Sequence, residues 1–170
     1  MTLTDRCDSV PMDKNENYEK KETSMGDTLR EVVWQAQEQG RLTCGVNDCA
    51  QLLEVDPYNV MLCVLPEAAA SGSEVSLHIH HMLIEAFCRE YDIRLVKVDS
   101  LSKMSDIVKG RTPSTDNCVK VTRSSAADTS CLIVQYPSDG TSEEDEVLAE
   151  YYKNVIFSDS SQTCVISLPD

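Results

Sequence analysis

No stretch of eighteen apolar residues occurs in this chain, so no segment is expected to cross a bilayer as a helix. It contains no Cys-x-x-Cys pair, no glycine-rich phosphate loop and no Gly-x-Ser-x-Gly elbow. The sequence marks of thiol redox, nucleotide and serine-hydrolase chemistry are therefore missing. Histidine is scarce: His78, His80 and His81 are the whole supply, crowded into one stretch. A catalytic triad has little to draw on. Basic residues nearly vanish from the end of the chain. Residues 137–170 hold eight acids and one base, and supply half of the net charge of −14. Such a field repels phosphate backbones and favours basic protein partners. The leading MTLTDRCDSVPMDKNENYEKKE has no apolar core, so a secretory leader is not expected and a cytosolic or nuclear protein is.

What is present suits one domain and a modest tail. The chain has 170 residues, 41% of them hydrophobic, enough for a real core. Its eight cysteines mostly sit inside apolar runs and read as small buried hydrophobes in a reducing compartment. Residues 1–22 are polar and aperiodic, which predicts a disordered tail. Residues 23–170 are expected to form a single α/β domain, with a flexible Ser- and Thr-rich insert at about 110–130. A first helix is signalled by a cap at Ser24 or Asp27, the stripe Leu29, Val32, Val33, Ala36, and a stop at Gly40. Trp34 lies off that stripe and is expected to pack on a second element. A short helix follows, with Val46, Cys49, Ala50 and Leu53 on one face. NVMLCVL is a continuous apolar run of strand length, as a strand covered on both faces requires. A helix over about 74–91, a strand over 92–98, a weak helix over 100–109, the strand CLIVQYP, a helix in TSEEDEVLAEYYKNVIF and a closing strand CVISLP complete the order. Alternating strands and helices predict a three-layer α/β/α sandwich around a central mixed sheet.

The histidines lie in LHIHHMLIEAFC, residues 77–88. Measured from Leu77, His81, Glu85, His78 and Arg89 fall at about 40°, 80°, 100° and 120° round a helix. This narrow arc is expected to be wet. The rest of the circumference is mainly apolar: Ile79, Met82, Leu83, Ile84, Phe87 and Cys88. That is more than one sheet face needs to cover, so a second flank must be buried against a neighbouring helix or another subunit. His78, His81 and Glu85 share a surface, but the His-Glu-x-x-His spacing of zinc hydrolases is absent, and neither metal nor cofactor is expected. The acids Glu143 to Glu146 fit the first turn of a helix, where negative charge is favourable.

Three segments together resemble one known family. GV-x-x-x-A-x-LL precedes VDP-x-NV-x-LC-x-L, and L-x-IH-x-x-LI-x-AFC-x-E-x-DI follows, with VISLP at the end. The pattern resembles the growth-arrest-and-DNA-damage-inducible (Gadd forty-five) family, over roughly residues 25–98 and more loosely near the C-terminus. The resemblance implies the fold of kink-turn RNA-binding ribosomal proteins. It also implies a non-enzymatic stress-response regulator in the nucleus and cytoplasm that self-associates through its second and third helices. Implied partners are an upstream MAP kinase kinase kinase, the replication sliding clamp, a mitotic cyclin-dependent kinase, and DNA-repair machinery. Carried over residue by residue, Leu83 matches a leucine of the self-association helix, flanked by Ile79 and Ser76, with Val46 and Ala50 from the preceding helix. The family's acidic loop is reduced here to PEAAASGSE, with Glu67 and Glu74, so Glu143, Glu144, Asp145 and Glu146 are expected to supply the acidic partner surface. Gly45-Val46-Asn47-Asp48 is similar to the signature with which the ribosomal relatives read RNA. Gly45, Asn47 and Asp48 are thus alternative nucleic-acid contacts, although Gln51 replaces the relatives' lysine.

Overall fold

A computed structural model describes residues 24–67, 75–110, 128–158 and 164–170. The expected tail at 1–22 and most of the expected insert at 110–130 lie outside them. Thr129 and Ser130, the end of that insert, are buried rather than loose.

Ser24 caps helix α1, Met25–Glu38, by accepting from the Asp27 N–H, and Leu29, Val32, Val33 and Ala36 face inward as expected. Strand β1, Leu42–Cys44, leads through Gly45 into α2, Val46–Val55. A 3-10 turn, Pro57–Asn59, delivers β2, Val60–Pro66, every residue of which is buried. Helix α3, Val75–Glu90, then β3, Arg94–Val98, and α4, Leu101–Lys109, follow. After the insert come β4, Leu132–Gln135, α5, Glu143–Ser158, and β5, Cys164–Ile166.

The sheet order is β1-β4-β2-β3-β5. β2 runs parallel to β3, and β3 parallel to β5, while β4 lies antiparallel to both β1 and β2. The sheet is therefore mixed, as the alternation predicted. Helices α1, α4 and α5 cover one face over a core that includes Leu29, Val64, Val96, Met104, Leu132 and Ile166. Helices α2 and α3 cover the other over Cys49, Leu53, Cys63, Leu65, Ile84 and Ile133. Trp34 packs between α1 and α4, and its Nε1–H donates to the Ile107 carbonyl at 2.9 Å. Strand β1 escaped the sequence reading because three half-buried residues carry no period to detect.

The C-terminal residues close the α1–α4 face. Leu168 is buried, its N–H donates to Asp99 Oδ1 at 3.1 Å, and Lys103 Nζ donates to its carbonyl at 3.0 Å. Gly26 lies directly against this segment. A β-carbon there would run into the Ser167 carbonyl oxygen and press on Pro169. Gly26→Ala should therefore destabilise the domain by about 1–3 kcal/mol through overpacking, although alanine raises helix propensity. A thermal melt showing unchanged or raised stability would refute this close approach.

Candidate interaction site

Helix α3 is amphipathic in an unusual sense, because its two apolar faces have different fates. Ile84 and Cys88 are buried against the sheet, with Leu77 and Phe87 half-covered beside them. On the far side Val75, Ile79, Met82 and Leu83 stand 71%, 51%, 56% and 62% exposed. Their spacing, i, i+4, i+7 and i+8, makes one continuous stripe. Ser76 and, on α2, Ala50 are exposed too, so four of the five expected interface residues lie at the surface. Val46 does not. It is buried in the core under α2, because the first residue of that helix turns toward Leu53 and the sheet. Met82 and Val75 join the stripe although the sequence reading did not name them as contacts; the helical spacing from Ile79 was the available signal.

His81 corrects the expectation of a wet arc. It is buried, and its Nε2 lies 2.9 Å from the Ser130 carbonyl oxygen. A carbonyl can only accept, so this ring nitrogen carries the proton. Periodicity placed His81 beside Glu85, but the sheet selects the stripe through Ile84 and Cys88, and His81 falls on its edge. Burial lowers the His81 pKa, helped by His78 and His80, against opposition from the Ser130 carbonyl and Asp128. Glu85 is half-buried and ties the helix to β3, bonding Lys97 at 3.2 Å and Arg89 at 2.7 Å. His78 and His80 are exposed.

The start of α2 is closed by the chain itself. Gly45 adopts φ 96°, which glycine allows without strain, and its N–H donates to the Cys131 carbonyl at 2.9 Å. Asp128 then accepts from the Val46 N–H, from Ser130 Oγ at 2.6 Å and from the Ser130 N–H at 3.1 Å. Partial burial raises its carboxyl pKa, but these hydrogen bonds outweigh that and hold it below the ordinary value. A helix N-terminus is an anion site, and here an internal carboxylate occupies it. Asn47 and Asp48 remain exposed beside it.

The expected acidic surface divides. Glu143 and Glu146 are exposed, and Glu144 is half-buried, accepting from Gln35 Nε2 at 3.1 Å, a bond that lowers its pKa. Asp145 is not at the surface. Its Oδ2 accepts from the Ser142 N–H at 3.1 Å while Ser142 Oγ accepts from the Asp145 N–H at 3.1 Å, a reciprocal cap of α5. The same oxygen meets the buried Arg41 at 3.4 Å. Glu67 is half-buried, and Glu74 lies outside the described residues.

Among the described residues no group of three or more His, Cys, Asp or Glu is arranged to hold a metal ion. Cys49, Cys63, Cys88 and Cys131 are buried in the α2–α3 core. Contact with Cys131 raises the Cys63 thiol, contact with Cys63 raises Cys88, and contact with Cys49 raises Cys131, each reinforced by burial. Neutral buried thiols are poor nucleophiles. A cavity of about 550 Å³ lies between the starts of β2 and β3 and the second half of α5, near Arg94, Tyr136, Tyr152 and Lys153, and none of the expected site residues lines it. No helix among the described residues is long and apolar enough to cross a membrane.

The fold and the exposed helix define a three-layer α/β/α sandwich whose notable surface is a helix face rather than a cleft. A family model described as the ribosomal protein L7Ae/L30e/S12e/Gadd45 family matches residues 27–129, and the chain belongs to that family. It is 39% identical over 100 residues to growth arrest and DNA damage-inducible protein GADD45 gamma of Rattus norvegicus, covering 56% of this chain and 63% of the relative. It is 43% identical over 83 residues to GADD45 gamma of Homo sapiens, covering 49% and 52%. With GADD45 alpha of Cricetulus griseus it shares 40% identity over 85 residues, covering 50% and 52%. The matches thus span between about half and two thirds of those relatives' length.

Because folded His81 resists protonation, the unfolded chain takes up that proton first as pH falls below the ordinary histidine value near 6.5. Stability is therefore highest above that pH and declines as pH falls from about 7.5 toward 5.5. Urea melts of the parent and of His81→Gln across that window should show the decline shrinking in the variant. An equal slope in both would remove His81 as its source.

Proposed function

We propose that this protein is a non-enzymatic stress-response regulator that acts as a self-associating adaptor. One observation carries the reading: a four-residue apolar stripe on α3 faces solvent although the helix has already buried its opposite face. Contiguous exposed apolar surface of this kind marks an interaction site. The same stripe on a second copy is the simplest cover, since a two-fold contact needs only one self-complementary patch. The relatives named growth arrest and DNA damage-inducible proteins support the stress-response role. On the same resemblance, the adaptor would bind an upstream MAP kinase kinase kinase and shift it toward an open, active state by differential affinity, with no bond made or broken in this chain. Contacts with the replication sliding clamp, a cyclin-dependent kinase and DNA-repair proteins, in nucleus and cytoplasm, belong to the same proposal. Glu143 and Glu146 offer exposed acidic contacts for such partners.

Sedimentation tests the self-association. Leu83→Glu places a charge within the stripe, at its C-terminal end, and should weaken dimerisation by at least about tenfold, the cost of desolvating an unpaired carboxylate. Because Leu83 is exposed in the single chain, the fold should survive. A variant as dimeric as the parent would sink the reading.

The alternative, an RNA- or DNA-binding module, has less support. Asp128 already holds the α2 N-terminus, and a net charge of −14 leaves few cations to release counterions from a phosphate backbone. Kink-turn RNA at low salt should show no saturable binding. Binding that weakens with salt and is lost in Asn47→Ala would instead favour the module.

A further inference from the structure

Beyond the α3 stripe, three aromatic rings gather where α2 and α3 end. The Phe87 ring, in the last turns of α3, stacks on Tyr91 with centroids 4.4 Å apart and planes at 19°. Tyr91 meets Tyr58, from the turn after α2, edge to face at 5.9 Å and 76°. Phe87 is anchored against the core beneath α2 and α3, while the outer members are open: Tyr91 is 38% and Tyr58 82% exposed. Val55, at the end of α2, is 75% exposed. The stack accounts for Phe87 and for part of Tyr91. It does not account for a tyrosine and a valine left almost wholly in water.

The charges that flank these residues in sequence are mostly acidic, although Asp92 also borders the cavity that holds Arg94 and Lys153. Glu54 and Asp56 flank Val55, and Glu90 and Asp92 flank Tyr91, all four exposed. None of the four is ion-paired among the described residues, whereas the nearby Arg89 is committed to Glu85 at 2.7 Å. An apolar aromatic centre inside an acidic rim is the anatomy of a protein-binding hot spot. We propose that this patch docks a basic segment of a partner protein, one that sets large apolar side chains between lysines or arginines. The apolar anchors would lie on Tyr58, Tyr91 and Val55, and the cations would reach the four carboxylates and the ring faces. A second copy is the poorer occupant, because it would bring the same acidic rim against this one.

The probe is a synthetic peptide of leucines and lysines at helical spacing, with a twin in which every lysine is glutamate. Binding to the full chain is followed by fluorescence anisotropy at low and at raised salt. The lysine peptide should bind, weaken as salt is added, and lose about tenfold in affinity to Tyr58→Ala with Tyr91→Ala, a change that leaves net charge untouched. Glu54→Gln with Asp56→Asn and Glu90→Gln should weaken it and flatten the salt dependence, and the glutamate twin should not bind. Tyr58→Ala alone, at the most exposed ring, guards against a misfolded double variant and should still cost a few-fold. Equal affinity for the parent and the tyrosine variants would show that the peptide senses only net charge, and would overturn the proposal. So would a tyrosine variant that falls to monomers in sedimentation, which would assign the rings to a contact between copies. Leu83→Glu should leave peptide affinity unchanged, so this patch and the α3 stripe can fail separately.

Discussion

Strand β2 is the constraint from which the rest follows. All seven of its residues are buried, with β3 on one edge and β4 on the other. A strand in that position has no polar face to turn to water, so both sides of the sheet must be covered by helices. Alternate residues feed separate cores: Leu62 and Val64 enter the α1–α4–α5 side, Cys63 and Leu65 the α2–α3 side. Among the described residues, the first side receives three helices and the second only two. That shortage explains the exposed stripe. With no third helix on its side, α3 has nothing within the described residues to cover Val75, Ile79, Met82 and Leu83.

The parts of the fold legible in the sequence are those with strong period or length. NVMLCVL announced a central strand because no polar residue interrupts it. Leu29, Val32, Val33 and Ala36 announced α1 because i, i+3, i+4, i+7 admits few other readings. The excess apolar girth of α3 was also legible, and it pointed to the surface now found open. Which arc of that helix enters the core was not. Periodicity ranks side chains by polarity, and a histidine scores as wet. Burying His81 is acceptable because the Ser130 carbonyl, 49 residues away in sequence, accepts its hydrogen bond. A partner that distant leaves no local mark.

The same reason explains the other misplacements. Asp145 sits in a run of four acids, and in sequence its neighbours look equivalent. Helix geometry turns Asp145 inward, where Ser142 and Arg41 engage Oδ2 and Oδ1 is buried with no hydrogen-bond partner among the described residues, and leaves Glu143 and Glu146 outside. Val46 shares an apolar face with Ala50 in the sequence reading, yet one is buried and the other exposed, because the first turn of α2 leans on the sheet. Asp128 was lost inside a polar insert. Its role appears only when Gly45 brings the α2 N-terminus to it. Tyr58 and Tyr91 likewise meet only because α2 and α3 finish side by side, and no spacing rule joins residues so far apart.

Charge sets the terms on which such surfaces can be used. Copies carrying −14 repel at long range, so association must come from short-range apolar burial that tolerates, rather than exploits, electrostatics. The α3 stripe fits that demand, since its four members are uncharged and the exposed Ser76, His78 and His80 beside it on α3 are not carboxylates. The aromatic patch has the opposite character: four carboxylates border it, and they speed encounter with a cation while discouraging another copy. Both surfaces belong to the thinner side of the sandwich. Among the described residues, the asymmetry of three helices against two thus leaves that flank with apolar surface to spare, and the proposed division of the flank between a second copy and a basic partner follows from where the acids lie.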